Sequence, residues 1–241
     1  MAGWDNPDVE VLYDVNGLAK DAPGWVDHTM AVVGEYGIIA ALLLLTLWGW
    51  WSARRRSVDG EAAAVSLAGL LWAPLAAGVA LLVNIPVRGL VERPRPFVDH
   101  KGLDVLVDGK NDFSFVSDHA TLTMALAVGL FMVHRRLGLA GIALAVLEGF
   151  CRVYMGVHYP TDVLGGLALG TAVALLLAPA ALWALTPLTR RAGDSRLLGR
   201  LVWAGPPADA AEGRPSEADE PQRAKPASAR RRDRYDGDLA A

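Results

Sequence analysis

The chain has 241 residues, of which 53% are hydrophobic and 20% are charged, and its formal net charge is -3 at pH 7. This balance excludes a nucleic-acid-binding protein built on a basic surface. The single cysteine, Cys151, excludes a disulfide framework and a cysteine-based zinc cluster. The charges are unevenly placed, because long segments nearly free of charge alternate with short charged ones. This pattern is typical of an integral membrane protein with a polar tail.

Several apolar segments are predicted to cross the membrane as helices, because a spanning helix needs about 20 mostly apolar residues. They cover residues 36–51, 62–86, 119–133, 137–154 and 162–185. The first segment is rich in Leu, Ile and Ala and lacks the alternation of a half-buried strand. We therefore expect an all-α integral membrane fold, a bundle of about five transmembrane helices.

The segments on either side of the spans are predicted to differ from them. Residues 1–33 mix apolar and acidic positions, which favours an amphipathic segment lying on the membrane surface. A re-entrant segment there, giving a sixth passage, is the alternative. Residues 34–188 form the transmembrane domain. Residues 205–241 are rich in Ala, Pro and charged residues, which predicts a disordered tail.

Basic residues near the ends of the spans predict the orientation in the membrane. Residues 54–56, 135–136 and 190–191 are arginines, and these clusters follow the first, third and fifth spans. Because Lys and Arg are enriched in cytoplasmic loops, these ends and the tail are expected on the cytoplasmic side. The N-terminal segment is acidic and is expected outside.

Basic and imidazole side chains gather at the outer ends of the predicted helices. They occur as Arg88 with Arg95-Pro96, as Ser117-Asp118-His119, and as Arg152 with His158 and Asp162. Guanidinium groups match phosphate oxygens bidentately, and the N-terminus of a helix attracts anions. We therefore expect these helix ends to surround one dianionic group. For the arginines taken alone, a solvated loop in which they pair with neighbouring aspartates is the alternative.

The three motifs resemble the signatures of the type-2 phosphatidic acid phosphatase superfamily, which are written K-x6-R-P, P-S-G-H and S-R-x5-H-x3-D. The resemblance covers about residues 80–170. Within that superfamily, Arg95-Pro96-Phe97-Val98 and the run H-Y-P-T-D-V-L-G from His158 are similar to the bacitracin-resistance type of undecaprenyl-diphosphate phosphatase. The departures from the pattern are Arg88 for Lys, Val116 for Pro, Asp118 for Gly and Cys151 for Ser. Cys151 loses a hydrogen-bond donor to phosphate, and none of the departures removes a proton-transfer residue.

The resemblance implies a lipid phosphatase that works without a metal or another cofactor. His158 would attack phosphorus and form a phosphohistidine, Asp162 would accept the other ring N–H, and His119 would protonate the leaving oxygen and then activate water. The phosphoryl oxygens would be held by Arg88, Arg95, Arg152, Ser117 and the backbone N–H groups of Asp118 and His119. The sequence contains no H-x-H or H-E-x-x-H metal pattern.

Hydrolysis of undecaprenyl diphosphate to the monophosphate, on the outer face of the plasma membrane, is the leading interpretation. The alternatives are a phosphatase of phosphatidic acid, phosphatidylglycerol phosphate or a prenyl-phosphosugar phosphate, and a non-catalytic binder of lipid phosphates. The cleft between the helices would decide among these substrates. A haloperoxidase with the same pocket is disfavoured, because those relatives are soluble. Membrane lipid is the expected partner, nucleic acid is not, and no oligomeric state is predicted.

Three further polar residues have a structural interpretation. Arg93 lies inside the spacer of the first motif and is not expected to contact phosphate. Glu148 lies four residues before Arg152, so the two are predicted to pair on one helix face, with a functional intramembrane carboxylate as the alternative. Asn84, one turn before Arg88, is predicted to make a polar contact between helices.

Overall fold

The computed structural model describes residues 6–195 and 197–205, all in helices and the segments that connect them. The predicted tail beyond residue 205 and residues 1–5 lie outside the described residues. The helices are α1 Pro7–Lys20, α2 Gly24–Val32, a π-helical segment Val33–Gly37, α3 Ile38–Arg56, α4 Gly60–Val91, α5 Pro96–Asp99, α6 Asp118–Val133, α7 Arg135–Tyr154, α8 Pro160–Leu176, α9 Ala178–Asp194 and α10 Gly199–Val202. The predicted all-α fold is confirmed.

In the part of the chain that the structure describes, three helical stretches are long and apolar enough to cross a membrane: Gly24–Arg56, Gly60–Asp99 and Arg135–Tyr154. Helices α8 and α9 make a fourth span if the pair, which is bent by 52°, counts as one. Helix α6 is apolar but shorter, with 16 residues. Each of the predicted spans therefore coincides with an apolar helix or bent helix pair, and the protein is a multi-pass membrane protein.

The first span begins earlier than the sequence suggests. Helix α2 continues through the π-helical segment into α3, so the apolar helix runs from Gly24 to Arg56. The boundary predicted between residues 33 and 34 therefore falls inside a helix. It belongs instead in the turn between α1 and α2, where Pro23 precedes the first residue of α2. Only α1 remains as a separate amphipathic segment.

The starts of the helices follow from local side-chain chemistry. The Asp59 carboxylate accepts a hydrogen bond from the Ala62 N–H at 2.8 Å and begins α4. The Ser117 hydroxyl caps α6 by accepting from the Ala120 N–H at 3.5 Å, as predicted. A proline at the first position begins α8, where its missing N–H costs no helical hydrogen bond.

Helix α6 is the centre of the bundle and packs against α4, α7 and α8. Small residues allow these helices to approach closely, as is typical of membrane helix pairs. A Cβ atom added at Gly129 of α6 would lie 2.6 Å from the Ala73 Cα of α4. One added at Gly170 of α8 would collide with the Thr121 carbonyl of α6. This close packing fixes the helix ends that carry the predicted site residues.

Helix α1 is docked on the bundle near the ends of α7 and α8. Leu12 is fully buried and packs with Val153, Tyr159 and Val163. The buried Asn16 side chain donates hydrogen bonds to the carbonyl oxygens of Asp104 and Tyr154, each at 2.8 Å. The amphipathic segment therefore covers the bundle with one face, and its docking is specified by a buried polar side chain as well as by apolar packing.

The predicted cytoplasmic arginines lie at the other end of the bundle from the three motifs. Arg190 of α9 pairs with Glu61 in the first turn of α4. Arg54, near the end of α3, donates to the Arg200 carbonyl oxygen of α10 at 3.0 Å. The basic clusters and the motif residues thus occupy opposite ends of the helices.

Candidate active site

His158 lies in the short connection between α7 and α8 and is 3% exposed. Its Nδ1 is 2.9 Å from the Ser114 carbonyl oxygen, whereas the Asp162 Oδ2 atom is 3.6 Å from the same nitrogen. A carbonyl oxygen can only accept, so Nδ1 carries the proton and Nε2 is the unprotonated nitrogen. In this structure the closest acceptor for the Nδ1 proton is therefore the Ser114 carbonyl oxygen, and the predicted role of Asp162 beside it stays a prediction.

The surroundings of His158, burial above all, favour its neutral ring. Burial lowers the pKa of His158 below its usual value, the nearby Asp162 carboxylate opposes this change, and the charges of Arg95 and Arg152 add to it. The Nε2 atom is 3.3 Å from Arg95 Nη1. The ring therefore presents an unprotonated nitrogen to an arginine that was predicted to hold phosphate.

Asp162 is fully buried in the first turn of α8. Its Oδ2 atom accepts from the Tyr159 N–H at 2.9 Å, and its Oδ1 atom accepts from Arg93 Nη1 at 2.8 Å. The Ser117 N–H donates to the Asp162 carbonyl oxygen at 3.0 Å, which joins the second motif to the third. Arg93 thus holds a predicted catalytic carboxylate.

Arg88 and Arg95, at the end of α4 and just before α5, converge on one carboxylate. Arg95 Nη2 is 2.6 Å from Asp112 Oδ1, and Arg88 pairs with the other oxygen, Oδ2. Burial alone would raise the pKa of Asp112, but Arg95 and then Arg88 hold it below its usual value. One anionic group can therefore contact both arginines at once through two of its oxygens, which is the geometry that phosphate binding needs.

Arg152, at the end of α7, is 1% exposed and is surrounded by acceptors. Nη1 donates to Glu35 Oε2 at 3.0 Å and Nη2 donates to the Gly34 carbonyl oxygen at 2.6 Å. Nε lies 3.1 Å from Glu148 Oε1, which confirms the predicted pair, although the angles are not those of a hydrogen bond. Arg152 therefore links the π-helical segment to α7.

His119 lies in the first turn of α6, and its Nε2 atom is 3.9 Å from Glu35 Oε1. Lys110 Nζ donates to the same Glu35 oxygen at 2.8 Å. The extra residue of a π-helical turn often occurs at functional sites, and here the turn directs Glu35 towards His119, Lys110 and Arg152. Glu35 therefore gathers two cations and the predicted acid around one carboxylate.

Ser117 and Asp118 lie differently from their predicted roles. Ser117 is fully buried and its hydroxyl caps α6, so it stabilises the first turn of that helix. The Asp118 side chain pairs with Arg88 and accepts from Asn84 Nδ2 at 2.7 Å. The predicted contact between helices at Asn84 is confirmed, and the Asp118 carboxylate orients Arg88. Contacts from the backbone N–H groups of Asp118 and His119 to phosphate stay a prediction.

Cys151 is fully buried and belongs to the main apolar core cluster of the bundle. A Cβ atom added at Gly34 would lie 2.7 Å from the Cys151 Cβ atom. The cysteine thus faces the π-helical segment, and the missing Cβ atom of Gly34 lets that segment approach α7 closely enough for the Gly34 carbonyl oxygen to reach Arg152.

The structure brings together all three motifs and adds residues that the motifs do not contain. The added residues are Glu35, Lys110, Asp112 and Ser114. Glu35 had a usable signal, because a carboxylate at the edge of an apolar span marks function by default. The other three lie in the long loop between α5 and α6, where no periodicity or spacing distinguishes them from solvated loop residues.

These helix ends define a class of protein: a multi-pass membrane protein with a buried histidine next to arginines that converge on one anionic group. Comparison with known proteins agrees, because the PAP2 superfamily model matches residues 69–185. The undecaprenyl-diphosphatase BcrC of Bacillus subtilis (strain 168) is 31% identical over 168 residues, covering 69% of this chain and 80% of the relative. The chain belongs to the PAP2 superfamily, and the predicted resemblance is confirmed.

Other relatives of the chain act on different lipid phosphates. Decaprenylphosphoryl-5-phosphoribose phosphatase of Mycobacterium tuberculosis H37Rv is 32% identical over 175 residues, covering 70% of this chain and 88% of the relative. The crystal structure of the first transmembrane PAP2 type phosphatidylglycerolphosphate phosphatase from Bacillus subtilis matches with a TM-score of 0.50 at 23% identity, covering 74% of this chain and 88% of that one. The structural match supports the fold.

Proposed function

We propose that this protein is a membrane lipid phosphatase that hydrolyses undecaprenyl diphosphate to undecaprenyl phosphate through a phosphohistidine at His158. The observation that carries the proposal is the fixed tautomer of His158. Its Nδ1 proton is directed at Ser114, so the unprotonated Nε2 faces the arginine that would hold the phosphoryl group. Membership of the PAP2 superfamily and the BcrC relative support the reaction class and the substrate.

In the first half-reaction, His158 Nε2 attacks the terminal phosphorus, and the bond from phosphorus to the bridging oxygen breaks. Arg88 and Arg95 converge on one anionic group in this structure, so they can carry the charge that builds on the phosphoryl oxygens. The imidazolium that forms keeps its hydrogen bond to Ser114 and is stabilised by the Asp162 carboxylate 3.6 Å away.

His119 transfers the protons in both half-reactions. It donates a proton to the bridging oxygen as undecaprenyl phosphate leaves, and then removes a proton from the water that attacks the phosphohistidine. The bond between Nε2 and phosphorus breaks, inorganic phosphate leaves, and His158 returns to its neutral form. Glu35, 3.9 Å from His119 Nε2, orients this ring and stabilises its protonated form.

An apolar cavity beside the phosphate site supports a lipid substrate. The cavity has a volume of 340 Å³ and reaches Arg88, Asp118 and His119 at its polar end. Its apolar lining comes from α3, α4 and α6, through Ile39, Leu81, Leu82, Ile85 and Leu122. A prenyl or acyl chain in this cavity would place its phosphate against the arginines while the chain stays in an apolar environment.

The distribution of charge supports a site on the outer face of the plasma membrane. The arginine clusters lie at the opposite end of the bundle and favour the cytoplasmic side. In this arrangement the phosphatase domain begins at α2 rather than at residue 34 and runs to residue 188, with α1 docked on its outer end, and residues 205–241 lie in the cytoplasm.

Phosphate release by the purified full-length protein in detergent, with EDTA present, tests the proposal. The substrates are undecaprenyl diphosphate, phosphatidic acid and phosphatidylglycerol phosphate, and the variants are His158→Ala and, as a matched control, His28→Ala at an exposed position. We expect release that resists EDTA, favours the diphosphate and is lost only in His158→Ala.

Each other outcome changes a different part of the proposal. Faster release from a glycerolipid would keep the mechanism and replace the substrate. Release that persists in His158→Ala would overturn the phosphohistidine. No release from any of the substrates would favour a lipid-phosphate binder.

A further inference from the structure

Arg93 connects the buried catalytic carboxylate to helix α1. Its Nη1 atom is 2.8 Å from Asp162 Oδ1, and its Nη2 atom is 2.6 Å from Asp8 Oδ2. The guanidinium group lies over the Tyr159 ring, 3.6 Å from the ring centroid. One planar group therefore joins a carboxylate of α8 to a carboxylate in the first turn of α1, and the aromatic ring fixes the plane of the guanidinium.

Asp8 is held on its other side by the start of α8. It accepts from the Thr161 N–H at 2.9 Å and from the Thr161 hydroxyl at 2.6 Å. Burial alone would raise the pKa of Asp8, but the hydrogen bonds from Thr161 and Arg93 hold it below its usual value. Asp8 is therefore charged at neutral pH and balances the charge of Arg93.

The burial of Asp162 explains why these contacts are needed. A fully buried carboxylate is costly unless its oxygens are paired. One oxygen of Asp162 accepts from a backbone N–H, and the other depends on Arg93. Because the Asp162 carboxylate is 3.6 Å from the proton-bearing nitrogen of His158, whatever fixes Asp162 also fixes the field at the nucleophile.

We propose that Arg93 and Asp8 are positioning residues for Asp162 and His158, so that helix α1 completes the catalytic site from outside the three motifs. The proposal rests on the proposed function of His158 as the nucleophile. Neither residue contacts the phosphoryl group, and both act through Asp162. Helix α1 is held in place for this role independently, by the buried Leu12 and Asn16.

Arg93 and Asp8 carry opposite charges, so removing one charge or the other changes the pKa of His158 in opposite directions. Other charged or titratable groups face His158 from the surrounding elements and stay unchanged in the variants, namely Arg95, Asp112, His119, Arg152 and Asp162. Arg93→Gln removes a positive charge, which favours the protonated ring and raises the pKa of His158. Asp8→Asn removes a negative charge and lowers it. Since the attacking ring must be neutral, the acid limb of kcat/KM moves with this pKa.

The test is the pH profile of kcat/KM for phosphate release by the full-length protein in detergent at low salt. We expect Arg93→Gln to move the acid limb up by about half a pH unit and Asp8→Asn to move it down by a similar amount. Arg93→Lys keeps the charge but cannot bridge two carboxylates, so it should lower kcat about tenfold with the acid limb unchanged. In the double variant the two shifts should cancel.

Matched controls come from the ion pair at the opposite end of the bundle. Arg190→Gln and Glu61→Gln make the same changes of charge in an exposed pair, and we expect wild-type pH profiles from both. If Arg93→Gln does not fold, the downward shift of Asp8→Asn alone decides. Shifts of one sign in both variants, or an unchanged profile with unchanged kcat, would overturn the positioning role. If wild type is inactive or His158→Ala is active, the proposed function fails instead.

Discussion

The two histidines of the site are held in very different ways. His158 is 3% exposed, and its Nδ1 proton is directed at a backbone carbonyl oxygen 2.9 Å away. The His119 side chain is 20% exposed, and its Nε2 atom is 3.9 Å from the carboxylate oxygen Oε1 of Glu35. A nucleophile needs one tautomer and one direction before the substrate arrives. A group that serves a leaving oxygen and then a water must reach two positions, so a looser setting suits it.

Replacement of His119 by alanine separates the two roles with the largest expected effect. Steady-state turnover of undecaprenyl diphosphate should fall about 10³-fold, because both the acid and the base are lost. With 4-nitrophenyl phosphate, whose leaving group needs no acid, His158 can still be phosphorylated. We expect a burst of about one nitrophenolate per protein and then slow turnover. Stopped-flow absorbance measures both phases.

His158→Ala is the matched variant for this experiment and should show neither the burst nor the turnover. A burst from His158→Ala, or steady turnover of 4-nitrophenyl phosphate at the wild-type rate by His119→Ala, would show that the two roles are assigned to the wrong histidines.

Loss of the Glu35 charge tests how His119, the less tightly held histidine, depends on its neighbouring carboxylate. Glu35→Gln weakens the contacts to Lys110 and Arg152 and removes the carboxylate next to His119. Since hydrogen bonds between charged groups contribute about 1.5–3 kcal/mol, we expect kcat/KM to fall by about tenfold or more. Glu61→Gln, in the pair at the other end of the bundle, is the control. Equal activity of the two variants would show that Glu35 only balances charge.

The fold was predictable from the sequence because hydropathy and span length act over many residues at once. The motif residues were predictable for a related reason, since the ends of neighbouring spans meet on one face of the membrane. The start of the first span was not predictable, because the polar residues of α2 hide its continuity with α3.

The residues that hold the site residues in place are distant from them in the sequence. Glu35 meets Arg152, and Asp8 meets Thr161, only after the bundle is packed. The partner of His158 Nδ1 is a backbone carbonyl oxygen, and no choice of side chain at position 114 records that role. The resemblance to the superfamily therefore assigned this hydrogen bond to Asp162, the carboxylate four residues after His158.

Replacement of Asp112 should improve substrate binding, whereas the variants above should lower activity. Its carboxylate contacts Arg88 and Arg95, the two arginines that a phosphoryl group would need. Asp112→Asn removes the competing charge, so we expect KM to fall by about threefold at low ionic strength, and inhibition by inorganic phosphate to strengthen. The difference should shrink as salt is added. A rise in KM would show that Asp112 orients the arginines for the substrate.

Cys151 gives the smallest expected effect and tests which way the end of α7 faces. The superfamily pattern has Ser at this position, where its hydroxyl would donate to phosphate, but the Cys151 side chain is fully buried beside Gly34. In Cys151→Ser the new hydroxyl can donate to the carbonyl oxygen four residues earlier in the helix. Turnover should therefore stay within about twofold of wild type, and the free energy of unfolding should fall by about 1 kcal/mol. Thermal unfolding in detergent and phosphate release measure the two quantities. A tenfold gain in turnover would mean that position 151 reaches the phosphoryl group, and that α7 is rotated from the orientation in which Gly34 approaches it.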